Sequence, residues 1–302
     1  MGIGGKGTAM ETTMEVAKMQ KLIITVAQTG GIHRKKVNPA VPEQPDEIAQ
    51  SAYDCYNAGA SVCHIHVRGK DGRTTGDLRV YEEVLSKIKA KCQIITQVGN
   101  GIGRVYMPDG SFYRPSLEER MRLTELNPKP DMLTINAGSF EFGWSGGVFE
   151  NPMAFNEEFL RKCNERDISV ECEVYDLSHI NNILELARRG ALRKPIHFSF
   201  VLGIGGGIPA TPKAIISMAD MIPEGSSWQV IAISKFQLPA TVFAVCMGAN
   251  IRTGLEDNIY YSKGELAKSN AQLVERMVRM AKELGREIAT VEEAKGLFGI
   301  KS

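Results

Sequence analysis

The chain of 302 residues is long enough to bury a sizeable core in one large or two ordinary domains, which excludes peptide hormones, tags and disulfide miniproteins. Its 36 basic and 35 acidic residues leave a net charge of +1, and no apolar run approaches the roughly 20 residues of a membrane span, so neither a nucleic acid nor a membrane is expected as a partner. The 6 cysteines show no C-x-x-C spacing, which argues against a zinc ribbon, an iron–sulfur cluster or a thioredoxin-type site and leaves them as reduced thiols.

Residues 1–20 lack an apolar signal segment and read as a flexible polar lead, so the cytoplasm is the expected compartment. From residue 21 onward, short β-branched runs alternate with amphipathic stretches. Strands are predicted at 22–26, 62–67, 94–98, 132–136, 169–174, 196–201, 228–233 and 250–253. Helices are predicted at 45–58, 78–91, 116–126, 155–167, 178–190, 211–221, 239–247 and 263–285, the last with Leu266, Leu273, Met277 and Met280 on one side. Eight strand–helix pairs without a Pro/Gly/Ser-rich linker fit a single (β/α)8 barrel domain, a TIM barrel, over residues 21–302. A doubly wound sheet is the rival, but residues 30–33 after the first strand do not supply a G-x-G-x-x-G turn. Two longer excursions, 104–115 with a turn at Pro108-Asp109-Gly110 and 138–152, follow strands three and four and read as lids or substrate walls.

The segment Cys63-His64-Ile65-His66-Val67-Arg68 ends the second strand. Side chains two apart on a strand point the same way, so His64 and His66 can meet one ion; one structural histidine beside a solvent-facing neighbour is the blander alternative. After strand eight, Arg252, Glu256 and Asp257 offer a third ligand in Glu256 and a base in Asp257 that Arg252 holds, against the alternative of a helix cap with a surface ion pair. Two imidazoles and a carboxylate leave coordination positions open, which suits catalytic zinc and is also acceptable to nickel or iron. Glu171 and Glu173 alternate about Cys172 and share one face, so a strand burying both requires a cation or donors; Glu173, nearer the strand end, is the better active-site candidate. Asn100, Asn136 and Ser139 sit where they can bond an anionic substrate group. His197 reads as a core histidine, His179 as a helix-start residue, and His33 as a weaker pocket candidate.

Several uncommon words occur in one order: Asn38-Pro39-Ala40-Val41-Pro42, His64-Ile65-His66-Val67-Arg68, Asp71-Gly72 with Thr75, Pro195-Ile196-His197-Phe198, Phe200-Val201-Leu202-Gly203, Ile222-Pro223-Glu224-Gly225-Ser226, Gly254-Leu255-Glu256-Asp257-Asn258 and Ala267-Lys268-Ser269-Asn270. With these words the chain resembles the β-keto acid cleavage enzymes, from Lys21 to Ala294. The resemblance implies a zinc-bearing (β/α)8 barrel that exchanges acyl groups between a β-keto acid and acetyl-CoA, giving acetoacetate and a new acyl-CoA. It implies that His64, His66 and Glu256 hold the metal, that Arg252 and Asp257 are catalytic with Glu173 in the site, and that the chain assembles as a homo-oligomer, a homotetramer being expected. A metal-dependent aldolase or hydrolase that works without CoA, and a barrel with a purely structural ion, are the competing classes.

The departures from the family pattern bear on the substrate. Ile32 stands where aminohexanoate-cleaving members carry a glutamate that suits an amino group. Gly99 replaces a serine and is followed by Asn100, Ser139 replaces a threonine, and Glu141 replaces an asparagine, so a cationic tail would be met from a different wall. Lys235 stands in place of an arginine after strand seven, a candidate partner for CoA phosphates.

Overall fold

The computed structural model describes residues 20–103, 105–106, 112–143 and 147–301. Apart from Gln20, the lead expected over 1–20 lies outside these residues, as does the turn expected at 108–110.

Eight parallel strands close into a barrel: β1 (Ile24–Ala27), β2 (Val62–Ile65), β3 (Ile95–Val98), β4 (Met132–Asn136), β5 (Ser169–Val174), β6 (His197–Leu202), β7 (Ser227–Ala232) and β8 (Asn250–Thr253). Each strand pairs with its sequence neighbours, and β8 closes on β1 with Thr25 opposite Arg252. Helices α1 (Pro45–Ala58), α2 (Leu78–Lys91), α3 (Leu117–Met121), α4 (Met153–Glu165), α5 (Leu177–Arg188), α6 (Pro212–Ala219), α7 (Gln237–Cys246) and α8 (Asn270–Glu283) follow strands one to eight in turn. None of the described helices is long and apolar enough to cross a membrane.

The period of two along each strand divides the core. Cys63, Ile65, Leu133, Ile135, Cys172, Val174, Phe198 and Phe200 face outward into one large cluster with buried helix residues such as Ile48, Leu85, Ile183 and Met277. Each Val, Leu, Ile, Phe or Met side chain among them contributes about 1.5–3 kcal/mol through burial, so this layer supplies the main driving force. The alternate positions face the barrel axis. At the lower end they are apolar, with Ile23, Val62, Ile95 and Met132 in one cluster. Higher up they become polar: His64, Gln97, Thr134, Glu171, Ser199 and Gln229 are all buried.

Three elements differ from the sequence-based expectation. Residues 263–269 are not helical. Tyr260–Ser262 and Glu265–Leu266 form a hairpin about Lys263-Gly264, where Gly264 has φ 82°, and Leu266 lies on its exposed side. Helix α8 begins only at Asn270, because Ser269 Oγ accepts from Gln272 N at 3.0 Å and caps it there. The helix expected over 116–126 is shorter, with α3 passing into a 3-10 turn at Arg122–Glu125. A ninth helix, α9 (Val291–Phe298), was not predicted. Thr290 and Glu293 form its capping box, and its Ala294 and Phe298 pack into the lower axial cluster, covering the bottom of the barrel.

The excursions after β3 and β4 each contain a small antiparallel pair, Val105–Tyr106 with Phe112–Tyr113 and Phe140–Glu141 with Val148–Phe149. The second pair leans on the loop after β6, with Gly143 N donating to Gly205 O at 2.8 Å.

Candidate active site

At the C-terminal ends of β2 and β8 the barrel brings three ligand-type side chains together. His64 Nε2 and His66 Nε2 lie 3.2 Å apart, and each is 3.7 Å from Glu256 Oε1. Tetrahedral ligands at zinc distances of roughly 2.0–2.2 Å are spaced about 3.3–3.6 Å from one another, so this triangle fits a divalent ion with little adjustment. Two further observations agree. Burial first, then the nearby Arg252 and His66 charges, hold the His64 pKa well below the ordinary range, so its ring is neutral and has a lone pair to give. Glu256 Oε2 is buried without a hydrogen-bond partner, and burial pushes this carboxyl above the usual carboxylate range.

The backbone makes room for the cluster. A Cβ on Gly30 would lie 2.4 Å from Glu256 Cγ, and one on Gly99 would lie 2.6 Å from His66 Nε2 and 2.8 Å from His64 Nε2. The Gly30 loop is itself held by Arg68, two residues past His66. Arg68 donates through Nε to Thr29 Oγ1 at 3.0 Å, and through Nη2 to the carbonyls of Gly30 and His33. Arg68 is 2% exposed and is therefore a clamp rather than a surface charge.

Beside the triangle, Arg252 grips Asp257 in a two-pronged contact, Nε to Oδ2 at 2.9 Å and Nη2 to Oδ1 at 2.8 Å, while Nη2 also reaches Glu256 Oε1 at 2.5 Å. Its Nη1 is 3.6 Å from Glu173 Oε1. One guanidinium thus faces three carboxyl groups, and despite burial their charges raise its pKa well above the ordinary value. Glu173 carries a carboxyl raised to about 7, mainly by burial, which Arg252 opposes only in part. Tyr175 Oη donates to Glu173 Oε2 at 2.8 Å and lies 2.9 Å from Asn136 Oδ1.

Glu171 lies one layer lower on the same face of β5, as the alternation predicts. Burial raises its pKa, but hydrogen bonding and charge from His197, with the Gln97 amide, outweigh this and leave it below the usual range. His197 is buried, with Nδ1 2.8 Å from Ser227 Oγ and its ring 4.5 Å from that of Phe298. His179 sits in the first turn of α5, where Nδ1 accepts from Tyr175 N at 3.2 Å.

The expected substrate-wall residues are arranged differently. Asn100 is buried, its Oδ1 accepts from Arg120 Nε at 2.7 Å, and its Nδ2 is without a partner. Ser139 is exposed, and its Oγ accepts from Asn151 N at 2.7 Å, so this hydroxyl is committed to the base of the hairpin. Ile32, at 64% exposure in the loop after β1, and Glu141, in the short strand Phe140–Glu141, are both exposed in segments that follow the C-terminal ends of barrel strands. Lys235 is exposed beside Phe236, next to Ser234, whose N donates to Asp257 O at 2.7 Å and whose φ is 60°. Residue-type reasoning did not single out Gln97, Gln229, Tyr175 and Gly30. The available signal for Gln97 was its place in the run Ile94-Ile95-Thr96-Gln97-Val98, where an amide shares the inward parity of Gly99.

A closed parallel barrel with a His–His–Glu cluster and an Arg–Asp pair at its C-terminal mouth has the make-up of a barrel enzyme whose chemistry sits at the strand ends. The family model for the beta-keto acid cleavage enzyme matches residues 21–300, and the chain belongs to that family. It is 41% identical over 284 residues to the 3-keto-5-aminohexanoate cleavage enzyme of Fusobacterium nucleatum, covering 94% of this chain and 99% of that one. It is 32% identical over 288 residues to the 3-oxoadipate:acetyl-CoA acetyltransferase of Cupriavidus necator, covering 94% and 96%. Among solved structures, the fold is shared with ObcA in its ternary complex with a C4-CoA adduct and oxalate, at a TM-score of 0.70 and 17% identity over 86% of this chain and 68% of that one.

Proposed function

We propose that the protein transfers an acyl group from a β-keto acid to CoA, converting the keto acid and acetyl-CoA into acetoacetate and a new acyl-CoA. The observation that carries this reading is the contact between the His64–His66–Glu256 cluster and the Arg252–Asp257 pair through Arg252 Nη2 and Glu256 Oε1. The names of the relatives, which specify keto acids and acetyl-CoA, support the co-substrates.

In this reading His64 Nε2, His66 Nε2 and Glu256 hold a divalent ion, zinc foremost. Such an ion supplies Lewis-acid polarisation of the ketone, which makes the protons between ketone and carboxylate more acidic. Asp257 receives one of those protons on a side-chain oxygen. Arg252 orients Asp257 and places a fixed cation beside the charge that develops on the substrate. Glu173 shares the guanidinium and, with its raised pKa, holds a proton near neutrality. Asn100, whose Nδ2 has no protein partner, is assigned to the keto acid carboxylate; Ser139, Glu141 and Ile32 line the approach of its tail, and Lys235 that of the CoA phosphates. We read residues 21–302 as one cytoplasmic barrel domain assembling as a homotetramer, a state that light scattering measures.

The deciding experiment incubates zinc-loaded protein with neutral, aminated and branched β-keto acids, with and without acetyl-CoA. Acetoacetate and acyl-CoA formed in equal amounts, only when acetyl-CoA is present, are the expected result. Keto acid consumed without acetyl-CoA would instead make the protein an aldolase or hydrolase.

A further inference from the structure

Beneath the candidate metal cluster lies a second polar layer to which the proposed reaction gives no task. Its centre is Glu171, fully buried, whose Oε2 accepts from Gln97 Nε2 at 2.7 Å and Gln229 Nε2 at 2.8 Å, with His197 Nε2 3.4 Å away. Two amide N–H donors converge on this one oxygen, while Oε1 of the same carboxyl is buried without a hydrogen-bond partner, so the amides of Gln97 and Gln229 are what compensates the buried group. The other end of the Gln97 amide, Oε1, lies 2.7 Å from His64 Nδ1.

An amide is polar in one sense only. With Nε2 committed to the carboxylate, Oε1 is an acceptor, so the group facing it has to be a donor. The reversed amide would press Oε1 against the Glu171 oxygen and Nε2 against the ring. His64 Nδ1 therefore carries the ring hydrogen, and Nε2 carries the lone pair. That same Nε2 points at His66 Nε2 and Glu256 Oε1, 3.2 Å and 3.7 Å away.

We propose that Gln97, anchored by Glu171, is a positioning residue that keeps the hydrogen of His64 on Nδ1 and thereby aims the Nε2 lone pair at the metal site. The chain His64–Gln97–Glu171 is a carboxylate–histidine support lengthened by one amide, and partners of this kind typically govern metal affinity by 10–100-fold. The proposal rests on the reading of His64 as a ligand, and its test separates the two.

The first measurement uses metal-free wild-type protein labelled with 15N in histidine, so it needs neither turnover nor a variant. Ring-nitrogen shifts and couplings should show His64 with hydrogen on Nδ1 and an unprotonated Nε2; hydrogen on Nε2 overturns the proposal outright. The second measures Zn2+ affinity by chelator competition. Gln97→Leu should weaken binding by about 10–100-fold. The double variant Gln97→Glu with Glu171→Gln reverses the sense of the chain but keeps an acceptor against His64 Nδ1, and should restore affinity to within several-fold of wild type. Unchanged affinity in folded Gln97→Leu, or a folded double variant as weak as the single one, overturns the proposal. If wild-type protein fails to bind Zn2+ while His64 still shows the Nδ1 hydrogen, the metal reading fails and the hydrogen-bond assignment stands.

Discussion

Arg252 and Asp257 are joined by two hydrogen bonds of 2.9 and 2.8 Å, with both residues buried, so the orientation of each side chain is set by the other. Lysine has a single point of attachment and cannot reproduce this fork. Arg252→Lys is expected to lower kcat by at least about 100-fold with a smaller change in KM, in the range seen when a preorganised charge is lost. Arg252→Met, which strands the Asp257, Glu256 and Glu173 carboxyls without their cation, should cost about 3–5 kcal/mol in denaturant unfolding. Wild-type kcat in Arg252→Lys would dismiss the pair as catalytic machinery.

Glu173 makes stability depend on pH. Its folded pKa of about 7 lies above the unfolded value of 4.5, so the folded protein binds more protons in that window. The contribution is full below about pH 4.5 and is lost as pH rises to about 7. Glu173→Gln removes it, and the stability difference between variant and wild type should grow by up to roughly 3 kcal/mol across the window in metal-free protein. Urea unfolding at half-unit pH intervals measures this; a pH-independent difference would show that Glu173 titrates normally.

Metal removal should separate function from fold. Chelator treatment is expected to abolish turnover, with zinc restoring it, while the far-UV spectrum stays the same. His66→Ala, at a partly exposed position, should lose at least about 100-fold in activity and less than about 1.5 kcal/mol in stability. His64→Ala should cost more stability, because it leaves Gln97 Oε1 buried without its 2.7 Å partner. Full activity in rigorously metal-free protein would refute the metal reading.

Gly30 tests the packing behind the cluster. With an added Cβ only 2.4 Å from Glu256 Cγ, Gly30→Ala has to displace Glu256 or the loop that Arg68 holds. The expected cost is about 1–3 kcal/mol, with weakened zinc affinity. Gly143→Ala offers no control, since its φ of 73° strains any side chain, whereas Gly296 has open space within 4 Å and no such strain. Gly296→Ala should leave zinc affinity unchanged; equal affinity in the Gly30 and Gly296 variants would rule out the wedge.

Ile32 bears on substrate choice. The family resemblance implies a glutamate at this position in aminohexanoate-cleaving members, so the apolar Ile32 predicts faster turnover of neutral-tailed β-keto acids, and Ile32→Glu should shift kcat/KM toward aminated tails by about 10-fold or more. Preference for aminated tails in the wild type would point to Glu141 instead.

The barrel was legible because each strand combines β-branched residues with a period of two and each amphipathic segment returns the chain to the next strand. The hairpin at residues 260–266 was not, since Leu266 happens to fall in helical register with Leu273 and only the Lys263-Gly264 turn contradicts it. Helix α9 was missed because its eight residues bury only Ala294 and Phe298, too few to set a period. In the candidate site, the H-x-H register and the run from Arg252 to Asp257 could be read locally. Gln97, Tyr175 and Gly30 could not, because each acquires its role from a partner on another strand or loop: Glu171, Asn136 and Glu256.

Helix α9 sets its Phe298 ring against His197 and accepts from Ser169 Oγ through the Phe298 carbonyl at 3.2 Å. Among the described residues, α9 is thereby the element that packs under the lower axial cluster. Without the Phe298 ring, His197 would lose its cover from below, and Glu171 the support of the neighbour whose Nε2 lies 3.4 Å from its Oε2.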